Sequence, residues 1–171
     1  PADANETALA WKQALKTSDS PTALILSRQK LPTLDVSQRD GEFNYGAYVV
    51  KKVMDPDMIL IGTGSEVHIC VEAAGILKKD HKIKVTVVSM PSWELFEKAP
   101  APYRERILPT GVTKRMAVEA GISMGWEKYT GSEGKMISIN KFGASAPGGK
   151  VLKEYGFSAE NIVKNALDLL K

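Results

Sequence analysis

The sequence predicts an α/β fold of three layers, a mostly parallel sheet with helices on both faces. Two observations carry that expectation. From residue 48 onward, short apolar runs alternate with stretches of helical periodicity, the pattern of strand–crossover–strand units. The runs are rich in Val, Ile and Met and show little polar alternation, as strands buried on both faces do. The length, 171 residues at 43% hydrophobic and 25% charged, is ample for one well-buried domain.

The elements follow in order. Residues 3–16 repeat apolar positions at helical spacing, with Ala4, Ala8, Trp11, Ala14 and Leu15 on one side. Asp3 is placed as an N-cap, and Glu6 as the acidic half of a capping arrangement. Ser18-Asp19-Ser20-Pro21 reads as a turn and Thr22-Ala23-Leu24-Ile25-Leu26 as a short strand. Residues 31–46, with Pro32, Asp35, Asp40, Gly41, Asn44 and Gly46, read as a polar linker. Strands are expected at 48–52, 58–61, 85–89, 115–118 and 136–139. Helices are expected near 66–79, 93–98, 102–108, 125–129, 149–155 and 159–170. Ser158 is a good N-cap for the last of these, and Ile162, Val163, Ala166, Leu167 and Leu170 form its apolar face. Residues 1–45 thus form a helix–strand segment plus linker, and 46–171 a domain. No internal repeat or low-complexity tract stands out.

Charge and cysteine usage exclude several function classes. The net charge of +3, from 23 basic and 20 acidic residues, is small and spread along the chain, so no nucleic-acid partner is expected. No apolar run is long enough for a membrane span and no signal peptide is seen. Cys70 is the only cysteine, on an apolar helical stripe with Val67, Val71 and Ala74; an inert core residue in a reducing compartment, hence a cytoplasmic protein, is expected. The start at Pro1, inside what reads as a folded element, suggests a fragment.

Few segments carry chemistry. Ile61-Gly62-Thr63-Gly64-Ser65-Glu66-Val67 joins an apolar strand to a long helix, where free N–H groups could hold an anion. Thr63 and Glu66 make a capping box that would answer those donors internally, and Val67 stands where a dinucleotide fingerprint needs its third Gly, so a tight structural turn is the stronger reading. Gly143-Ala144-Ser145-Ala146-Pro147 resembles a nucleophile elbow, but both histidines, His68 and His81, lie upstream of Ser145. Ser145 is expected to cap the following helix. Neither histidine has metal-ligand company. Glu119 follows a strand and could face a ligand, though capping or ion pairing is the expected role, and neither Glu119 nor Glu72 has a second carboxylate placed beside it. Met116, Met124, Met136, Trp93, Trp126 and Phe142 are expected to pack in the core or a subunit interface.

Arg28 is the sharpest site candidate. It follows the apolar run 22–26, and ligands collect at the carboxyl ends of strands in open α/β sheets. A guanidinium there offers a bidentate fork for phosphate or carboxylate, with Lys30 as a second cation, although a surface ion pair would also fit.

Several segments together resemble the transketolases across essentially the whole chain: Pro1-Ala2-Asp3-Ala4-Asn5-Glu6, Ser27-Arg28-Gln29-Lys30-Leu31-Pro32, Gly46-Ala47-Tyr48-Val49, Gly62-Thr63-Gly64-Ser65-Glu66-Val67, Val88-Ser89-Met90-Pro91-Ser92, Ala117-Val118-Glu119-Ala120-Gly121 and Phe142-Gly143-Ala144-Ser145-Ala146-Pro147. The resemblance implies a homodimeric enzyme that moves a two-carbon ketol unit between sugar phosphates, using thiamine diphosphate and a divalent cation, Mg or Ca. It implies that residues 1–45 end the pyrimidine-binding domain and that 46–171 are the C-terminal domain. Arg28 carries over as the contact to the substrate phosphate; no catalytic, cofactor-binding or metal residue does. Lys30 replaces a common Asn and Ala47 a common Gly. The Gly-Asp-Gly motif, the cofactor-activating Glu and its surrounding histidines are absent, so the chain alone is expected to be inactive and to bind no cofactor. Rival readings are a purely structural or dimerisation module, a small-anion module using the 62–66 turn, and the terminal domain of another thiamine enzyme, a 2-oxoacid dehydrogenase subunit or deoxyxylulose-phosphate synthase.

Overall fold

The computed structural model describes residues 1–35, 37 and 39–171. Residues 36 and 38, inside the expected linker, lie outside the described residues. The helices are α1 (Ala4–Lys16), α2 (Glu66–His81), α3 (Trp93–Lys98), α4 (Ala101–Ile107), α5 (Glu127–Thr130), α6 (Gly148–Glu154) and α7 (Ala159–Leu169). The strands are β1 (Tyr48–Lys51), β2 (Met58–Gly62), β3 (Val85–Ser89), β4 (Arg115–Val118) and β5 (Lys135–Ile137). They form one sheet in the order β1-β3-β2-β4-β5. All neighbours are parallel except β1, which runs antiparallel to β3.

The three-layer arrangement follows from the period of two along each buried strand. Met58 and Leu60 face one side with Cys70, Leu77, Ile162 and Ala166, which places α2 and α7 there. Ile59 and Ile61 face the other with Phe96, Tyr103, Trp126 and Tyr129, which places α3, α4 and α5 there. Both faces of β2 are covered, and all five of its residues are buried. Cys70 is fully buried, and burial pushes its thiol pKa up, so it packs as an inert apolar group. Ser158 caps α7 by accepting from the Asn161 N–H at 3.3 Å.

Four expectations need correction. Residues 22–26 are not a strand: they run without regular structure and pair with no described strand. An apolar run becomes a strand only beside a partner edge, and here only Leu24 reaches the small cluster of Ala2, Ala10 and Phe43, while Ile25 is 83% exposed. The apolar side read for α1 points outward, with Trp11 half-exposed and Leu15 82% exposed. The helix instead buries Glu6 and Ala10, four apart, and Ala2 just before its cap packs with them against Tyr48, Val50 and Val67. Small side chains allow that close approach, and Glu6 finds buried donors there. Met124 and Phe142 are surface residues rather than core, Phe142 being 99% exposed at the head of a wholly exposed segment, 140–150. Ser145 caps nothing: Pro147 occupies the cap position of α6, with no side-chain cap bond.

Candidate functional site

Two places deserve a chemical description: the segment carrying Arg28, and a cleft at the carboxyl ends of the parallel strands. Arg28, Gln29 and Lys30 lie on an exposed bend. Among the described residues the Arg28 guanidinium has neither a carboxylate partner nor a hydrogen bond to the protein. Gln29 rests against the start of α6, so close that a Cβ on Gly148 would lie 3.2 Å from its Nε2. No local spacing signals this neighbourhood. It sets the exposed bend that carries Arg28 beside the exposed 140–150 segment.

The segment is held at a distance by α1. Asp3 caps that helix, its Oδ1 accepting the Glu6 N–H at 2.8 Å, and its Oδ2 accepts the Leu34 N–H, also at 2.8 Å. One carboxylate thus ties the far end of the loop that contains Arg28 to the start of α1. Glu6, almost wholly buried, accepts from the Tyr48 hydroxyl at 2.8 Å, the Ser89 hydroxyl at 2.6 Å and the Ala2 N–H at 2.5 Å. Burial, reinforced by the Glu6 charge, pushes the Tyr48 phenol pKa up, which keeps it protonated as a donor.

The cleft, of about 420 Å³, is lined by Thr63, Met90, Trp93, Glu94, Glu119 and Gly121 among others. It lies where the connections from β2 and β4 leave in opposite directions, the switch point at which open sheets gather ligands. Glu119 reaches it, as its strand-end position suggested, but its partner is the Trp126 indole N–H at 2.6 Å rather than a cation or a helix end. The capping box is not formed: Ser65 is the cap residue of α2, and the Glu66 carboxylate turns inward to accept from the Ser65 hydroxyl and, at 3.1 Å, from the Ala120 N–H. The turn donors are still answered internally, Glu66 N–H by the Thr63 carbonyl and Val67 N–H by that of Gly64. Glu119, expected to have no second carboxylate beside it, has Glu66 as an electrostatic neighbour. Two carboxylates beside the turn oppose an anion there.

Burial, with a smaller contribution from the Glu119 charge, raises the Glu66 pKa above its ordinary 4.5. A carboxyl group whose folded pKa is raised stabilises the fold fully below its unfolded pKa, and that contribution is lost as pH rises through the folded value. Glu66→Gln removes the charge while its amide oxygen still accepts from the Ala120 N–H and its NH₂ donates to the Ser65 hydroxyl oxygen. The variant is therefore expected to melt at higher temperature than the parent at pH 7, with the gap closing toward pH 4; calorimetry at the two pH values checks this, and an unchanged gap would remove the burial argument.

Among the described residues His68 stands apart: half-buried on α2, with its Nδ1 buried and unpartnered. No group of three or more His, Cys, Asp or Glu side chains among them is placed to hold a metal ion, and no helix is long and apolar enough to cross a membrane.

The family described as Transketolase-like TK C-terminal domain matches residues 46–158, the stretch that builds the sheet and the cleft. The chain belongs to the transketolase family. It is 49% identical to a transketolase of Geobacillus stearothermophilus over 177 residues, covering 99% of this chain and 26% of that relative. Its fold superposes on the transketolase of Leishmania mexicana with a TM-score of 0.90 at 39% identity, covering 99% of this chain and 24% of the other. It superposes equally, at a TM-score of 0.90 and 34% identity over 99% of this chain and 24% of the other, on a Pichia stipitis transketolase in complex with sedoheptulose-7-phosphate. The chain therefore spans about a quarter of the length of the transketolases it matches, and it corresponds to their C-terminal region.

Proposed function

We propose that this chain serves a transketolase that transfers a two-carbon ketol unit between sugar phosphates, and that Arg28 holds the phosphate of the sugar. The observation that carries the reading is the exposed guanidinium of Arg28, without a carboxylate partner among the described residues, in a loop tied down by Asp3. A similar transketolase is known in complex with a sugar phosphate, which supports the substrate class. In this reading residues 1–45 close the pyrimidine-binding domain, 46–171 are the C-terminal domain, and the enzyme is a cytoplasmic homodimer.

Ketol transfer in this family draws on thiamine diphosphate with a divalent cation, Mg or Ca. The described residues do not assemble the carboxylate and histidine ligands such a cation needs, and no step is assigned to them through that group. The contribution of Arg28 is orientation. Two N–H donors fix one end of the sugar phosphate, so that the carbonyl at the other end presents a constant geometry to the reacting centre. The Lys30 ammonium adds a second positive charge that favours the dianion without fixing its direction.

In the whole enzyme, Arg28→Ala is expected to raise KM for sugar phosphates at least about tenfold, the worth of a charge-assisted hydrogen-bonded pair. Turnover of a ketol donor without phosphate should be unaffected, and Arg28→Lys should recover part of the loss. Steady-state kinetics with both donor types checks this. Unchanged KM for the phosphorylated donor would remove the substrate-phosphate role from Arg28.

A further inference from the structure

We propose that the recess between β1 and the last turns of α2 is a second anion site, one that takes an organic diphosphate through Lys51, Lys78, Lys82 and Lys84. The four lysines line a hollow of about 320 Å³ whose remaining wall is apolar: Val53, Ala74, Ile83 and Val85.

The placement of Lys51 is built by the fold. In β1, Tyr48 lies opposite Ser89, Val49 opposite Val88 and Lys51 opposite Val87, so Val50 is an extra residue, a β-bulge. Strict alternation would put Lys51 on the side of Val49, among Ile59, Ile61 and Val88. The bulge returns it to the side of Val87, which packs with Leu60 and Leu77 beneath α2. Lys51 is consequently half-buried and turned toward the helix end that already carries Lys78 and Lys82.

Nothing in the described residues neutralises this group. None of the four ammonium groups forms an ion pair with a described carboxylate. The Lys82 ammonium donates to the Lys79 carbonyl at 2.9 Å, and the nearby Asp57 carboxylate takes the Lys84 backbone N–H at 2.7 Å. Burial, and then the charge of Lys78, push the Lys51 pKa below the usual lysine range. A bound anion would relieve both effects at once.

The chemistry selects the ligand. Ammonium groups are point charges with no planar fork, which suits the tetrahedral oxygens of phosphate better than a flat carboxylate. Several of them in one hollow match adjacent phosphates, and the apolar wall suits the ring or chain attached to the diphosphate. The patch is a recess rather than a stripe, which does not suit a nucleic-acid backbone. The site also lies at the opposite ends of β2 and β3 from the cleft that holds Glu66 and Glu119.

The test uses the whole enzyme with its cofactor bound, 13C-labelled on Val and Ile methyl groups, titrated with ADP and with pyrophosphate. The Val53, Ile83 and Val85 methyl signals should shift and saturate, with ADP binding about fivefold more tightly than pyrophosphate because its body covers apolar wall. Lys78→Gln with Lys84→Gln, both at exposed positions, should weaken ADP about tenfold or more and leave ketol transfer unchanged, and Lys51→Met should do the same. Arg28→Ala should not alter these shifts. Absence of saturation below about 10 mM for both probes, or shifts that persist in the lysine variants, would overturn the site. Equal affinity for the two probes would overturn the organic body.

Discussion

Replacing Gly46 by alanine is expected to destabilise the chain by about 3 kcal/mol or more, the combined cost of forcing a side chain into left-handed backbone and into occupied space. Gly46 has φ +77° and ends the short 3-10 turn Phe43–Tyr45, donating its N–H to the Phe43 carbonyl at 2.9 Å. Its own carbonyl accepts the Ser92 N–H at 3.1 Å, which pins the entry to β1 against the start of α3. A Cβ at this position would overlap the Ser92 carbonyl oxygen and the Phe96 nitrogen, both main-chain atoms that a rotamer change cannot move, as well as the Leu95 Cβ. Relief would require α3 to move away from the sheet, exposing Phe96, which is buried against Ile59 and Ile61 in the same cluster. Urea unfolding followed by far-UV dichroism checks the value. A loss below about 1 kcal/mol would mean that α3 is not fixed where it is described. Ala47, one residue on, is buried with no such requirement, so Gly46 alone of that pair demands glycine.

How far a residue pattern could be read depended on whether its partner was also in the pattern. Strands β2, β3 and β4 were legible because each is covered on both faces and reads as a mainly apolar run; the limits expected for β3 and β4 coincide with those observed. Residues 22–26 have the same composition, but an apolar run records only a need for cover, not what supplies it. The outward side of α1 misled for the same reason: Trp11 and Leu15 dominate any count of apolar surface, whereas the buried residues of the helix are Glu6 and Ala10. Glu6 was legible as a capping residue and illegible as a buried acceptor, because Tyr48 and Ser89 lie far along the chain and no local spacing links them to it. The inward turn of Glu66 and the bulge at Val50 are likewise properties of tertiary pairing. Arg28 was singled out by position and by its motif, and the structure adds its exposure and the contact of Gln29 with Gly148; its expected place at the end of a paired strand is not found. Phe142 reads as a core or interface residue, and the core half fails because nothing in the 140–150 segment announces that it is exposed throughout.

Glu6→Ala is expected to cost about 3–5 kcal/mol, the scale of leaving several buried donors without an acceptor. Three donors converge on this carboxylate, and alanine leaves the Tyr48 hydroxyl, the Ser89 hydroxyl and the Ala2 N–H buried with no acceptor, each at about 1–3 kcal/mol before relaxation. Glu6→Gln keeps one acceptor oxygen but puts an NH₂ group where a second is needed, so an intermediate loss of about 1–2 kcal/mol is expected. The damage should be directional. Tyr48 and Ser89 belong to β1 and β3, while Glu6 belongs to α1, so the variant cuts the polar tie between the sheet and the helix whose cap, Asp3, anchors Leu34 and the Arg28 loop. Hydrogen exchange should therefore accelerate first in α1 and in residues 27–34, with β2 and β4 keeping their protection until global unfolding. In the whole enzyme the same variant should raise KM for sugar phosphates more than it lowers kcat, because a loosened loop misplaces Arg28 without touching the reacting centre. Uniform acceleration across the sheet would instead make Glu6 a general stabiliser and uncouple it from the phosphate contact.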